Sequence, residues 1–220
     1  MRAQNPLRDS LWGTVLVASL AAFGSGCLKP AGAAQPHAGK VLFESCVNCH
    51  GQNGEGMANV AAPSIAGLPQ WYVEAQLWKF RAGHRAYHPS DAAGLRMRPM
   101  SRQLDNELEI KNVSAYVASL PRPNPAPTLT GGDAQVGQGL YGTCLACHGP
   151  EGKGNEALKA PPLVGQNDWY LLAQLQKFKA GHRGTAKGDD SGASMRPMSM
   201  TLVDDQAIKN VLAYVATLSK

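Results

Sequence analysis

Charged and aromatic residues are scarce in this sequence: 17% of its 220 residues are charged and 6% are aromatic. The formal net charge of +5 is small, and no cluster of lysine or arginine indicates a nucleic-acid-binding surface. No segment alternates apolar and polar residues convincingly, so the sequence predicts no β-strand. Since 44% of the residues are hydrophobic, the composition is nevertheless that of a globular protein and shows little sign of disorder.

The chain also lacks a hydrophobic run long enough for a membrane span. Its uncharged, mostly apolar stretch covers residues 11–26, whereas a spanning helix needs about 20 residues. Arg2 and Arg8 precede this stretch, which makes residues 1–26 a predicted signal peptide. The protein is therefore expected in the periplasm.

Only five cysteines occur, and four of them fall into two Cys-x-x-Cys-His motifs, which leaves Cys27 unpaired. Cys27 ends the segment FGSGC, which resembles a bacterial lipobox although Gly24 stands where a leucine is usual. Diacylation at Cys27 would anchor the protein to the membrane. The alternative is ordinary cleavage after AGA at residues 31–33, which discards Cys27 with the signal peptide.

One unit of the sequence occurs twice. A shift of 98 residues aligns residues 40–120 with 138–218 without a gap, and 38 of the 81 aligned positions are identical. This period is too long for a solenoid repeat and suits a tandem domain of about 90 residues. The segment PRPNPAPTLTGG at 121–132 carries four prolines and is predicted to be an extended linker. We therefore expect two domains, at 35–120 and 133–220.

Each unit shows helical patterning. In the segment PQWYVEAQLWKFRAG, apolar residues recur near helical spacing until Gly83 ends the pattern. The last segment has Ile110, Val113 and Val117 on one helical face, and acidic residues at its start suit the helix dipole. The predicted fold class is all-α, with two tandem domains joined by the Pro-rich linker. Helices are predicted over 38–48, 69–83 and 106–119, and over the counterparts 167–181 and 204–218.

The two Cys-x-x-Cys-His motifs indicate covalently bound haem. Two thiols three residues apart can form thioethers with the two vinyl groups of one porphyrin, and the histidine that follows can then bind the iron. A redox dithiol or half of a zinc site would use the same cysteine spacing, but the sequence shows neither a βαβ context nor further zinc ligands. The sequence therefore predicts two haem c groups. The motif residues are Cys46, Cys49 and His50, and Cys144, Cys147 and His148.

The second axial ligand of each iron is expected at equivalent positions of the two units. This criterion removes Met57, which aligns with Asn155, and Met200, which aligns with Arg102. Both methionines of the repeated pentapeptide MRPMS satisfy it, and one histidine per unit satisfies it as a rival ligand. Spacing alone does not separate the two methionines. The remaining pairs are Met97 and Met195, Met100 and Met198, and His84 and His182.

Together these motifs resemble class I cytochromes c, and their tandem arrangement resembles the dihaem cytochrome c4 family over roughly residues 38–220. The resemblance rests on Cys-x-x-Cys-His-Gly, a Pro-x-x-x-Gly segment, YxxxQLxKFxAGxR, the methionine and a last helix ending in AYV. It implies that the iron-binding methionine lies seven residues before the leucine that precedes the last helix. Leu104 and Leu202 match that leucine, so the resemblance selects Met97 and Met195.

The same resemblance implies roles for further residues. Pro63 and Pro161 match the proline whose carbonyl accepts a hydrogen bond from the iron-binding histidine. The Trp-Tyr pairs at 71–72 and 169–170 are expected to pack in the core against the last helix. Four arginines are candidates to neutralise haem propionates, with plain surface exposure as the alternative: Arg85, Arg98, Arg183 and Arg196.

Histidine and methionine on both irons would leave no open coordination site and would raise the reduction potential. The expected function is electron transfer rather than catalysis. We expect an exported dihaem carrier in a respiratory chain that takes electrons from a quinol-oxidising complex or a periplasmic dehydrogenase and passes them toward a terminal oxidase. One alternative is a fixed cytochrome c subunit of a membrane respiratory complex or dehydrogenase. The other is a dihaem peroxidase, an enzyme class that keeps one iron reactive.

Overall fold

A computed structural model describes residues 33–218 of the chain. The predicted signal peptide and Cys27 lie outside the described residues. Within them, ten α-helices form two sets of five that follow the sequence repeat, and no β-strand occurs apart from two isolated bridges. The prediction of an all-α fold is therefore confirmed. Among the described helices, none is both long enough and apolar enough to cross a membrane.

The helices of the two domains correspond one to one. Those of the first domain are Pro36–Phe43 (α1), Val47–His50 (α2), Gln70–Ala82 (α3), Ala92–Ser101 (α4) and Glu107–Ser119 (α5). Those of the second domain are Ala134–Leu140 (α6), Gly142–His148 (α7), Asp168–Lys179 (α8), Asp190–Met200 (α9) and Asp205–Leu218 (α10).

Each domain has its own hydrophobic core, built around its last helix. In α5 the side chains of Ile110, Val113 and Val117 lie on one face and are buried. Phe43 of α1 belongs to the same cluster, which places α1 against α5. A second cluster of buried residues repeats this arrangement around α10: Tyr141, Leu202, Ala207, Ile208, Val211, Leu212 and Val215.

A glycine and an asparagine allow the first and last helices of each domain to approach closely. A Cβ atom added at Gly39 would lie 2.0 Å from the carbonyl oxygen of Asn112, and Gly137 has the same relationship to Asn210 at 1.9 Å. The Asn112 side chain accepts the backbone N–H of Gln35 at 2.7 Å. The repeated motif IKNV is therefore explained by packing, because its buried asparagine binds the backbone just before α1 and, in the second domain, α6.

The pentapeptide MRPMS lies on a helix in both domains, and its sequence pattern does not predict this. Gly94 and Pro99 within α4 are poor helix formers, so the local propensity of this segment does not indicate a helix. Asp91 precedes α4 and accepts the backbone N–H of Gly94 at 2.9 Å, which stabilises the first turn. Ser101, at the other end, is buried and donates to the carbonyl oxygen of Arg98 at 2.7 Å.

The segment between the domains has no regular secondary structure over residues 121–132. It is nevertheless held against the second domain. The Arg122 guanidinium donates from Nε to the carbonyl oxygen of Val164 at 2.9 Å, and the backbone N–H of Leu129 donates to the Asp168 carboxylate at 2.7 Å.

Candidate haem sites

A cleft in the second domain brings the predicted haem-binding residues together. Cys144, Cys147 and His148 of α7 line it, and Pro161 and Met195 line it as well. The rest of the lining is mostly apolar and includes Tyr141, Leu163, Leu171, Leu175, Phe178 and Leu202. Two thiols, an imidazole and a thioether around an apolar cleft form a donor set that fits a covalently bound haem.

The motif histidine is buried and oriented in the same way in both domains. The Nδ1 atom of His50 lies 2.8 Å from the carbonyl oxygen of Pro63, and that of His148 lies 2.8 Å from the carbonyl oxygen of Pro161. Because a carbonyl oxygen can only accept, Nδ1 carries the proton and Nε2 keeps its lone pair for a metal. The sequence resemblance implied this hydrogen bond, and the structure contains it.

Burial also keeps these histidines in the form that binds a metal. Desolvation lowers the pKa of His50 and His148, and this effect exceeds that of the proline carbonyl, which acts in the opposite direction. Both shifts favour the neutral imidazole, which is the form whose Nε2 can bind a metal.

Neither Cys46 nor Cys144 has the lowered pKa that is typical of a redox-active cysteine. Burial raises the pKa of the Cys46 and Cys144 thiols, although neighbouring hydroxyl groups lower it to a smaller extent. Redox dithiols have a lowered cysteine pKa instead. Residues 33–218 also hold no group of three or more histidine, cysteine or acidic side chains that could bind a metal. The thioether function is thus the interpretation that the cysteine environment favours.

The candidate methionines lie on α4 and α9. Met97 packs against the hydrophobic core of the first domain. Both Met195 and Met198 line the cleft of the second domain, but Met198 is 40% exposed whereas Met195 is half-buried. Met100, three residues after Met97, is half-buried as well. Helix α9 therefore places thioether sulfur beside the same cleft as His148.

The rival histidines face the other domain. The ring of His182 stacks on that of His88, with ring centroids 3.7 Å apart and planes 13° from parallel. The ring of His84 approaches Gly188, where an added Cβ atom would lie 2.7 Å from it. These contacts hold both histidines at the domain interface.

Two of the four candidate arginines form the centre of that interface. Arg85 and Arg183 are 6% and 8% exposed, so the alternative of surface exposure is wrong for them. Arg85 donates to Gln76 at 2.8 Å and, across the interface, to Gln174 at 3.1 Å. Arg183 makes the mirrored contacts, to Gln174 at 2.8 Å and to Gln76 at 3.3 Å.

Some of the buried arginine nitrogens lack a hydrogen-bond partner. The Nε atoms of Arg98, Arg183 and Arg196 are buried and have no hydrogen-bond partner among the described residues. A buried donor without a partner is costly, so such atoms are expected to meet an acceptor in the complete protein. Haem propionates are carboxylates and would supply such acceptors.

The two tyrosines of the Trp-Tyr pairs have different surroundings. Tyr72 packs against the core of the first domain, as expected. Tyr170 instead lies at the domain interface, where its hydroxyl accepts a hydrogen bond from Arg85 at 2.9 Å. Burial acts to raise the pKa of Tyr170, but the guanidinium groups of Arg85 and Arg183 outweigh it and lower that pKa. The expectation of core packing is therefore wrong for Tyr170.

Two ion pairs cross the interface, and the sequence alone does not predict them. Lys79 binds Asp189, and Lys177 binds Asp91. We refer to them as the crossed ion pairs. Both lysines and both aspartates recur at the 98-residue spacing, which was the available signal. That spacing shows which residues are equivalent but not which of them touch.

Comparison with known proteins agrees with this geometry. The family model described as cytochrome c matches residues 36–121 and 134–219. A thiosulfate dehydrogenase electron acceptor from Stutzerimonas stutzeri (strain A1501) is 34% identical over 187 residues, covering 80% of this chain and 80% of the relative. Cytochrome c4 of Azotobacter vinelandii is 31% identical over 183 residues, covering 76% and 81%.

A solved structure gives a similar result. Thiosulfate dehydrogenase (TsdBA) from Marichromatium purpuratum matches with a TM-score of 0.67 and 31% sequence identity. The match covers 83% of this chain but 40% of that chain, so the chain described here spans less than half of that protein.

Proposed function

Because this chain belongs to the cytochrome c family and is a dihaem electron carrier, we propose that it accepts single electrons from a thiosulfate-oxidising dehydrogenase in the periplasm and passes them toward a terminal oxidase. When bound, haem iron supplies a one-electron ferric–ferrous couple. The protein's own residues hold the two haems, set their ligands and keep the two domains together.

The observation that carries the proposed electron transfer is the equivalence of the two haem sites. Each domain has a buried histidine that is oriented by a proline carbonyl, and a methionine-bearing helix. We propose Met97 and Met195 as the second iron ligands, because Met97 packs in the core and Met195 is less exposed than Met198. With a histidine and a methionine from the same domain as ligands, neither iron would keep an open position for peroxidase chemistry, which would suit electron transfer.

The buried arginines are the proposed contacts of the haem propionates. Arg85 and Arg183 supply positive charge at the domain interface, and the unpaired Nε atoms of Arg98 and Arg196 can donate to carboxylates. Tyr72 and Gln76 of the first domain line the cleft of the second, so that cleft extends to the interface. The haems of the two domains would then exchange electrons through this region.

A reduction experiment tests the proposed donor. The purified dihaem protein would be mixed with a catalytic amount of thiosulfate dehydrogenase and with thiosulfate, and the haem absorption bands would be followed in a stopped-flow instrument. We expect reduction of both haems, and none without the dehydrogenase. If dithionite reduces both haems but the dehydrogenase with thiosulfate reduces neither, the proposed donor is wrong.

A fixed subunit is the second candidate function. The solved relative contains the matching region as 40% of a longer chain, which shows that this kind of unit can be part of a larger protein. Lipidation of Cys27 would favour such an arrangement, although Cys27 lies outside the described residues. The test is to fractionate cells that carry Cys27→Ala. Release of the protein from membranes would support the anchor, and co-purification of the unaltered protein with an oxidase or dehydrogenase would support the fixed subunit.

A further inference from the structure

The carboxylates of the crossed ion pairs are buried. Nζ of Lys79 in α3 lies 2.5 Å from Oδ1 of Asp189, and Nζ of Lys177 in α8 lies 2.6 Å from Oδ1 of Asp91. The side chains of Asp189 and Asp91 are only 1% and 4% exposed. A carboxylate buried to this degree needs a cation to offset its lost hydration, so each aspartate depends on a lysine of the other domain.

The same two aspartates begin the methionine-bearing helices. Asp91 accepts the backbone N–H of Gly94 in α4 at 2.9 Å, and Asp189 accepts that of Gly192 in α9 at 3.1 Å. Lys79 also donates to Ser191 Oγ, in the first turn of α9, at 2.5 Å. The lysine of one domain therefore holds the first turn of the methionine helix in the other domain.

The segment after each methionine helix is held from within its own domain. Arg81 donates from Nη1 to the carbonyl oxygen of Leu104, and Lys179 donates from Nζ to that of Leu202. Helix α3 thus carries two cations with different targets. Lys79 reaches the second domain, whereas Arg81, two residues later, binds the first.

We propose that Lys79 and Lys177 are positioning residues for the methionine ligand of the iron in the other domain. Each domain then completes the iron site of its neighbour, and neither methionine helix has its full set of contacts in an isolated domain. This inference rests on the proposed ligation by Met97 and Met195.

Variants that lack one of the two methionines show which domain's iron site the lysine affects. In a Met97→Ala background, the charge-transfer band of methionine-bound ferric haem, in the red part of the spectrum, reports on Met195 alone. There, Lys79→Met is expected to lower the temperature at which the band is lost by about 10 °C, because it leaves a buried carboxylate unpaired. In a Met195→Ala background, Lys79→Met should leave the band of the first domain nearly unchanged.

Three further variants serve as controls. Arg81→Met should lower the temperature at which the band of the first domain is lost and leave the band of the second domain unchanged, since Arg81 binds the first domain. Lys79→Arg should restore the band. Tyr87→Phe removes a different contact across the interface, the bond from the Tyr87 hydroxyl to the Gly181 carbonyl at 3.0 Å, and should leave both bands in place. A loss of the band confined to the first domain, or equal losses in both domains, would overturn the proposal.

Amide hydrogen exchange separates this proposal from the ligand assignment. Lys79→Met should raise the exchange rate at Gly192 and the following amides of α9 by roughly tenfold, without a change at the start of α4. If Met97→Ala and Met195→Ala both retain the full band, the assignment of the ligands fails, but the exchange result still decides whether the lysine holds the helix. Unchanged exchange at the start of α9 would refute that contact.

Discussion

His148 donates a hydrogen bond from Nδ1 to the carbonyl oxygen of Pro161 at 2.8 Å, and His50 and Pro63 have the same relationship at the same distance. The bond fixes both the tautomer and the direction of the ring, so that Nε2 points away from the carbonyl with a free lone pair. Two sites built alike, in domains that share 38 of 81 aligned residues, show that both domains orient the motif histidine in the same way.

The single variants Met97→Ala and Met195→Ala should each lose about half of the methionine–iron charge-transfer band. The reduction potential of the affected haem should also fall, because a thioether ligand raises it. Absorption spectra of the oxidised protein and a redox titration provide the measurements. Met100→Ala and Met198→Ala are the matched controls and should keep the band, since these methionines are not the proposed ligands. Loss of the band in the controls alone would transfer the ligand role to them.

Removal of one pair of cysteines should halve the haem content. The double variant Cys144→Ala, Cys147→Ala is expected to bind one covalent haem per chain, since the thioether bonds of the second domain can no longer form. Haem quantified in denaturant against protein mass provides the measurement. The variant Cys46→Ala, Cys49→Ala should give the same value. Two covalent haems in either variant would disprove the attachment sites.

Substitution of Gly39 by alanine should destabilise the first domain. The new Cβ atom would lie 2.0 Å from the carbonyl oxygen of Asn112, which forces α1 away from α5. We expect the free energy of unfolding to fall by about 1–3 kcal/mol. Thermal unfolding followed by circular dichroism measures it.

Gly139 supplies the control for this effect. It lies in α6, and an added Cβ atom would meet nothing within 4 Å. Gly139→Ala should therefore stabilise the protein by roughly 0.5–1 kcal/mol, the usual gain from alanine in a helix. If both alanine variants change stability in the same direction, the close contact between α1 and α5 is not the cause.

The variant Lys177→Met should show a pH-dependent loss of stability. Burial acts to raise the pKa of Asp91, but Lys177 and the Gly94 amide outweigh it and hold that pKa below its ordinary value. Asp91 therefore stabilises the folded protein above its unfolded pKa, and this contribution disappears as the pH falls through its folded pKa. Without Lys177, burial would dominate and raise the pKa. The difference in Tm between the two proteins should be largest near about pH 7 and shrink toward about pH 3.

Lys111→Met is the control for this pH series. Lys111 binds Glu107 at 2.7 Å, but this pair is exposed on the surface of α5. Its removal should change Tm little at any pH, because exposed ion pairs contribute little to stability. A constant difference between Lys177→Met and the unaltered protein across the whole pH range would show that Asp91 ionisation is not involved.

The sequence predicted the helices around the haem motifs but not those that carry the methionines. The pattern of Ile110, Val113 and Val117 is local, so α5 could be located from spacing alone. Helix α4 contains Gly94 and Pro99, and its first turn depends on Asp91 and on a lysine from the other domain. Tertiary contacts of this kind override the weak local propensity of the segment.

The sequence by itself determined the covalent haem attachment, the duplication and the all-α class. These depend on short spacings such as that from Cys46 to His50, which span a few residues, and on a repeat that any alignment shows. Only the tertiary structure decided that Lys79 meets Asp189, 110 residues away, and that Arg85 and Arg183 are buried at the domain interface. The physical reason is that such contacts depend on how two folded domains pack together, and no local pattern encodes which lysine reaches which carboxylate.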